Sequence, residues 1–188
     1  GDHHLNLEDL AKLPNPNPEL KPQERLKPMR LNCLNKKQSI LSYVSKRDLL
    51  LHYPYYSFDH FIHFLYEAVH DPSVKEIMIT QYRVAPHSEV INTLIAAAQN
   101  GKKVTVFVEL KARFDEENNI IWAKKLEQAG CHVIYGLVGL KTHCKITLVV
   151  RREEEGIRRY VHLGTGNYND ATAKLYTDMG ILTCDEAI

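Results

Sequence analysis

His143 and Lys145 stand two residues apart at the mouth of an apolar run, Ile146 to Val150. They close the segment Tyr135-Gly136-Leu137-Val138-Gly139-Leu140-Lys141-Thr142-His143-Cys144-Lys145. If this pair opens a strand, both side chains share a face, because successive strand side chains alternate. An imidazole beside an ammonium suits phosphoryl chemistry. The histidine is the nucleophile and the lysine neutralises charge on whatever it attacks. The plainer alternative is a histidine at a strand start, satisfied by a backbone carbonyl. The chemical reading gains from Gly136 and Gly139, which allow close backbone approach, and from Lys141 and Lys145, which flank the ring.

A second constellation is Gly164-Thr165-Gly166-Asn167-Tyr168-Asn169, directly after His162-Leu163. Glycines bracketing a hydroxyl suit a backbone cradle for phosphate oxygens. A plain tight turn explains the same residues equally well. Its position after the return strand from His143-x-Lys145 puts the two segments on neighbouring strands. A third is Lys111-Ala112-Arg113-Phe114-Asp115-Glu116-Glu117-Asn118. Its acids fit a helix N-terminus. Lys111 and Arg113 fall where a doubly wound sheet binds ligand, and Tyr82-Arg83 ends the preceding strand in the equivalent place. Arg83 and Arg113 together could grip a polyanion.

Other charged groups read as ordinary surface. Lys124-Lys125 lie on a helix, and Arg151 to Glu155 form a mixed-sign loop. Trp122 reads as packing. No G-x-x-x-x-G-K-[ST] is present, which disfavours that class of nucleotide binding.

The elements that must position these groups alternate along the chain. A helix capped by Ser57 carries Phe58, Phe61, Ile62, Leu65, Ala68 and Val69 at helical spacing and ends at Asp71-Pro72. Glu76 to Tyr82 reads as a strand. Ser88 caps a second helix closed by Asn100-Gly101. Val104 to Leu110 is a second strand, Asn118 to Ala129 a third helix, and Cys131 to Tyr135 a short strand. Ile146 to Val150 and Arg158 to Leu163 form a hairpin through the charged turn Arg151 to Gly156. Asn169 to Leu175 reads as a short helix, followed by a strand near Met179 to Thr183. This order implies an α/β fold with a mostly parallel sheet flanked by helices, binding ligands beyond the strands' carboxyl ends. Residues 1–48, with Pro14, Pro16, Pro18, Pro22 and Pro28, read as an extended linker or approach segment. Residues 49–188 read as the folded domain.

The chain's 188 residues are 44% hydrophobic, enough for one domain with a core. With 24 basic and 23 acidic residues the formal charge is +1, so no global field favours nucleic acid. Cys33, Cys131, Cys144 and Cys184 form no C-x-x-C pair, which points to a reducing compartment and away from structural zinc. No apolar run approaches the ~20 residues of a membrane span. The chain begins Gly1-Asp2 without a methionine and reads as a piece of a longer protein.

The segments His52-Tyr53-Pro54-Tyr55-Tyr56-Ser57-Phe58, Val108 to Asn119, Tyr135 to Lys145 and Arg158 to Tyr168 closely resemble bacterial polyphosphate kinase. The likeness runs from about Leu49 to the C-terminus. The chain is similar to the first of that family's two C-terminal catalytic domains, a phospholipase D-like half. The phospholipase D pattern asks for Asp after four intervening residues beyond His-x-Lys, where Val150 stands. It asks for Ser where Thr165 stands in Gly164-Thr165-Gly166-Asn167. The kinase family shows the same missing Asp, so the departure weakens a phosphodiesterase reading only.

The resemblance implies that His143 attacks the γ-phosphate of ATP and passes the phosphoryl group reversibly to inorganic polyphosphate. It implies Mg²⁺ as cofactor, with Arg83 and Arg113 in the phosphate and magnesium region. A cationic arginine contacts phosphate oxygens and does not ligate the metal. Tyr176 matches a position the family assigns to ATP. Lys145 and Asn167 are assigned from geometry as phosphate stabilisers. The resemblance further implies ATP/ADP, polyphosphate and the parent chain's remaining domains as partners, a homo-oligomer, no nucleic acid, and a cytoplasmic site that includes the inner-membrane periphery. The family's second catalytic histidine belongs to the following domain. A non-catalytic polyphosphate-binding module is the reading from a different class.

Overall fold

A computed structural model describes residues 13–17, 19, 27–34, 38–85, 88–109, 116–137 and 139–188. Among these residues four α-helices and seven strands follow in the order α1 (Ile40–Val44), β1 (Leu49–Tyr53), α2 (Asp59–His70), β2 (Val74–Gln81), α3 (Glu89–Gln99), β3 (Lys103–Val108), α4 (Glu116–Gln128), β4 (His132–Tyr135), β5 (Lys145–Glu153), β6 (Gly156–Gly164) and β7 (Asp178–Thr183).

The helices form where periodicity and caps agree. In α2, Phe61, Phe64, Leu65, Ala68 and Val69 fall on one buried stripe. Ser57 stands one residue ahead of the cap position, and its Oγ accepts the Asp59 amide at 3.2 Å. Ser88 caps α3, accepting the Ile91 amide at 3.4 Å. Asn100 ends that helix, and Gly101 follows at φ 77°. The expected helix over Asn169 to Leu175 is shorter, a 3₁₀ turn at Thr172–Lys174, preceded by Asn169, whose Oδ1 accepts the Ala171 and Thr172 amides.

Among the described residues the strands make one sheet in the order β1-β7-β6-β5-β2-β3-β4. The α/β class holds, but the expectation of a mostly parallel sheet does not. Only β2–β3 and β3–β4 pair in parallel; β1–β7, β7–β6, β6–β5 and β5–β2 are antiparallel. The crossover helices α3 and α4 force parallel pairing on three strands. The β5–β6 hairpin then adds an antiparallel half, which β7 and β1 extend.

A 3₁₀ turn (Asn32–Leu34) and helix α1 lie in the stretch expected to be linker. Helix α1 buries Ile40, Leu41 and Val44. It docks because the Glu67 carboxylate of α2 accepts the Ser39 hydroxyl at 2.9 Å and the Ile40 and Leu41 amides at 2.8 and 3.1 Å. These are orphan amides of a helix start, satisfied from a distant helix. The Pro-rich stretch lies largely outside the described residues.

Burial alternates along the strands. Ile77, Ile79, Val104, Val106, Val108, Val149, Tyr160 and Leu182 are buried with the helices. Met78, Thr80, Thr105, Phe107, Ile146 and Leu148 on the other face are half-buried. The register brings the carboxyl ends of β1, β2, β3, β4 and β6 to the same edge as the amino ends of β5 and β7. The segments that carry His143, Gly164 and Tyr82-Arg83 meet that edge.

Candidate active site

The loop between β4 and β5 is built to hold His143. The Gly136 amide donates to Val108 O at 3.1 Å, and the chain then turns through Gly136 and Gly139, at φ 52° and 79°. Two side chains tie the loop down. Glu109, only 3% exposed, accepts the Thr142 amide at 2.8 Å. The Thr80 hydroxyl donates to Cys144 O at 2.8 Å and accepts the Ile146 amide at 3.1 Å. Strand β5 begins at Lys145, so His143 stands on the loop just ahead of it.

The structure nevertheless brings the pair together. Lys145 Nζ lies 3.0 Å from both ring nitrogens of His143 and donates to the His143 carbonyl at 2.6 Å. The imidazole is exposed and the lysine is buried. Charge from Lys145 first, then burial, then Lys141 and Arg83, holds the His143 pKa below the ordinary histidine value. Burial also lowers Lys145, against the attraction of Asp178. The result is a neutral imidazole in a cationic setting. Groups that attract an anion surround it.

The expected neighbour, Gly164-Thr165-Gly166-Asn167, lies beside it: Lys145 pairs in register with Gly164. The glycines also have a packing reason. A Cβ on Gly164 would stand 3.2 Å from the His162 ring, and one on Gly166 would stand 2.5 Å from the Asp178 carboxyl carbon. Thr165 donates its hydroxyl to Asp178 at 2.8 Å and accepts the Met179 amide at 2.9 Å. The Asn167 side-chain oxygen is buried without a protein partner. Arg83 follows β2 at the same edge, its guanidinium 5.8 Å from the Tyr82 ring centroid. Tyr176 is 63% exposed beyond the 3₁₀ turn, leaving its ring face accessible. Lys111 and Arg113 lie outside the described residues.

Glu109, Thr80 and Asp178 are site residues that no spacing pattern announced. A buried acid at the end of an apolar strand was the available signal for Glu109. Among the described residues no group of three or more His, Cys, Asp or Glu could hold a metal ion. The charge around His143 is positive, which does not fit a protein-held Mg²⁺.

A single mixed sheet with helices on one face, and a His-x-Lys pair at the edge where those strand ends meet, defines a phospholipase D-like α/β domain. A phospholipase D family member, Nuc from Salmonella typhimurium, overlays with a TM-score of 0.56 at 14% identity, over 73% of this chain and 82% of that one, a likeness of fold. The chain belongs to the polyphosphate kinase family: residues 39–188 match the family described as polyphosphate kinase C-terminal domain 1. Polyphosphate kinase of Halalkalibacterium halodurans is 64% identical over 148 residues, and that of Lactiplantibacillus plantarum 60% over 150, covering 79% and 80% of this chain. The chain spans about a fifth (21%) of the length of those relatives. The crystal structure of polyphosphate kinase from Porphyromonas gingivalis overlays with a TM-score of 0.79 at 42% identity, over 97% of this chain and 30% of that one.

Proposed function

We propose that this chain is a catalytic domain of a polyphosphate kinase and that His143 carries the phosphoryl group. The contact of the buried Lys145 ammonium with the exposed His143 imidazole, 3.0 Å, is the observation that carries this reading. A ring nitrogen attacks the γ-phosphorus of ATP. An N–P bond forms, the P–O bond to ADP breaks, and ADP leaves. The terminal oxygen of a polyphosphate chain then attacks the phosphohistidine, the N–P bond breaks, and the chain gains one phosphate. Each step is reversible, and one transfer between two anions becomes two displacements. Lys145, Lys141 and Arg83 stabilise the transferring oxygens, with Arg113 and the amide of Asn167 completing the cradle. Tyr176 stacks on the base. Mg²⁺ arrives with the nucleotide as part of the substrate, where it offsets phosphate charge; the protein contacts phosphate oxygens.

Residues 49–188 form the catalytic unit and 1–48 its approach segment, within a longer, oligomeric parent whose other domains supply the second catalytic histidine. No helix among the described residues is long and apolar enough to cross a membrane. The placement we propose is cytoplasmic, including the inner-membrane periphery.

The test of substrate class is the full-length protein with Mg-ATP and short-chain polyphosphate. ADP release matched one-for-one by chain growth supports the kinase. Hydrolysis of a phosphodiester such as bis(p-nitrophenyl) phosphate without chain growth would replace it with a diesterase.

Lys145→Met is expected to slow phosphoryl transfer about 10²- to 10³-fold, the scale for losing a preorganised cationic stabiliser. It also removes the largest cause that lowers the His143 pKa. Transfer needs neutral imidazole, so rate falls as pH drops through that pKa. The acid limb of the pH–rate profile should therefore move to higher pH in the variant. An unmoved limb would show that Lys145 does not act on the ring.

A further inference from the structure

Tyr82 has no part in the chemistry above, yet the site is arranged around its ring. It directly follows β2 and is 9% exposed. The His143 ring meets it edge to face, with centroids 5.0 Å apart and planes at 81°. Three cations gather at the same ring: Lys145 Nζ at 5.4 Å, Lys141 Nζ at 5.5 Å and Arg83 Cζ at 5.8 Å from the centroid. Three like charges repel, and of the three Lys145 is also held by the His143 carbonyl at 2.6 Å. An aromatic quadrupole attracts each of them at this range. The backbone that carries the ring is held, because the buried Asn119 side-chain amide donates to the Tyr82 carbonyl at 2.8 Å and to the Glu109 carbonyl at 3.1 Å. One amide thus joins the ends of β2 and β3 under the site.

We infer that Tyr82 is a positioning residue for phosphoryl transfer, an aromatic platform that gathers Lys141, Lys145 and Arg83 about the His143 imidazole and fixes the plane of that ring. The inference rests on His143 being the phosphoryl acceptor. The platform is the ring, so the hydroxyl is dispensable. Tyr82→Phe keeps the platform; Tyr82→Leu removes it at similar width.

Two readouts separate this role from a merely structural one. The first is the NMR titration of the His143 ring in the protein, its signal assigned by comparison with His143→Ala. This readout needs no substrate. The groups facing that ring are Lys145, Lys141, Arg83 and Tyr82, with Asp178 acting through Lys145. Tyr82→Leu should move the midpoint upward as the cations disperse, and Tyr82→Phe should leave it in place. The second is the kinetics of the full-length protein with Mg-ATP. Tyr82→Leu should lower kcat about tenfold or more with KM changed less than about threefold, the loss expected when several weak cation–π contacts go together. Tyr82→Phe should stay within about twofold. Tyr82→Met, measured beside them with thermal melts, covers a leucine variant that does not fold. An unmoved midpoint in the leucine and methionine variants overturns the platform. So does a phenylalanine variant as impaired as leucine, which would assign the effect to the hydroxyl. If wild type never phosphorylates His143, the kinase reading falls, while the titration still decides whether Tyr82 sets the ring's environment.

Discussion

His143→Ala is expected to reduce phosphoryl transfer from Mg-ATP in the full-length protein by about three orders of magnitude or more, the scale for removing a covalent nucleophile. The protein should remain as stable as before, because the ring is exposed and its removal opens no core cavity. Its neighbours cannot take over: Lys145 and Lys141 are ammonium groups, and Arg83 has no nucleophilic lone pair. The space left by the ring still lies among those cations, so added imidazole should restore part of the rate. ADP formation and chain growth measured with and without imidazole check both halves. A variant that keeps transfer within tenfold of wild type would remove His143 from the mechanism, however close Lys145 stands.

Gly180→Ala should destabilise the fold by about 2–3 kcal/mol, in the range for overpacking a filled core. On a chain of this size that corresponds to a fall of roughly 4–12 °C in Tm. Gly180 lies in β7, paired with Leu51 on one side and Gly164 on the other. A methyl group there would stand 2.5 Å from His162 Nε2 and 3.0 Å from Tyr53 Cε2. His162 cannot step aside. It is 1% exposed, lies 4.6 Å from the Phe61 ring, and has Nδ1 2.9 Å from the Tyr168 hydroxyl, which donates to the His162 carbonyl at 3.2 Å. Those bonds fit a neutral ring with its proton on Nδ1. Thermal melts of Gly180→Ala, His162→Ala and the double variant test the clash, because the double should lose less than the two singles added together.

The same ring carries a pH signature. Burial pushes the His162 pKa down to about 3. At pH above the ordinary histidine value both folded and unfolded chains hold it neutral, and its contribution to stability is complete. Below about pH 6.5 the unfolded chain takes up the proton first, so stability falls steadily as pH drops toward 3. In His162→Ala this part of the acid sensitivity should disappear.

Local patterns and long-range pairings were unequally legible in the sequence. Helices α2 and α3 and the hairpin β5–β6 show in periodicity, caps and a charged turn, because the residues that decide them are neighbours in the chain. Strand β1 does not show, because its partner is β7, well over a hundred residues away. Helix α1 depends on Glu67, a single acid on α2. The direction of the sheet's second half follows from where β7 and β1 add, which no local pattern encodes.

The site divides in the same way. His143 and Lys145 are two residues apart, so their meeting is local. Glu109, Thr80 and Asp178 come to the site from three other strands or their ends, and no spacing in the sequence ties any of them to His143 or Lys145. In the sequence Gly164 and Gly166 suit a phosphate cradle or a plain tight turn equally. The ring of His162 and the carboxylate of Asp178 give them a packing reason that only the folded chain displays.

The most direct measurement is on the intact parent protein. It would be incubated with γ-labelled Mg-ATP, digested under alkaline conditions that preserve phosphohistidine, and mapped by mass spectrometry. A second sample would be chased with unlabelled ATP and polyphosphate. The mechanism predicts acid-labile phosphate on His143 that moves into polyphosphate during the chase. Polyphosphate made with no phosphate on His143, or label there that never leaves, would contradict it.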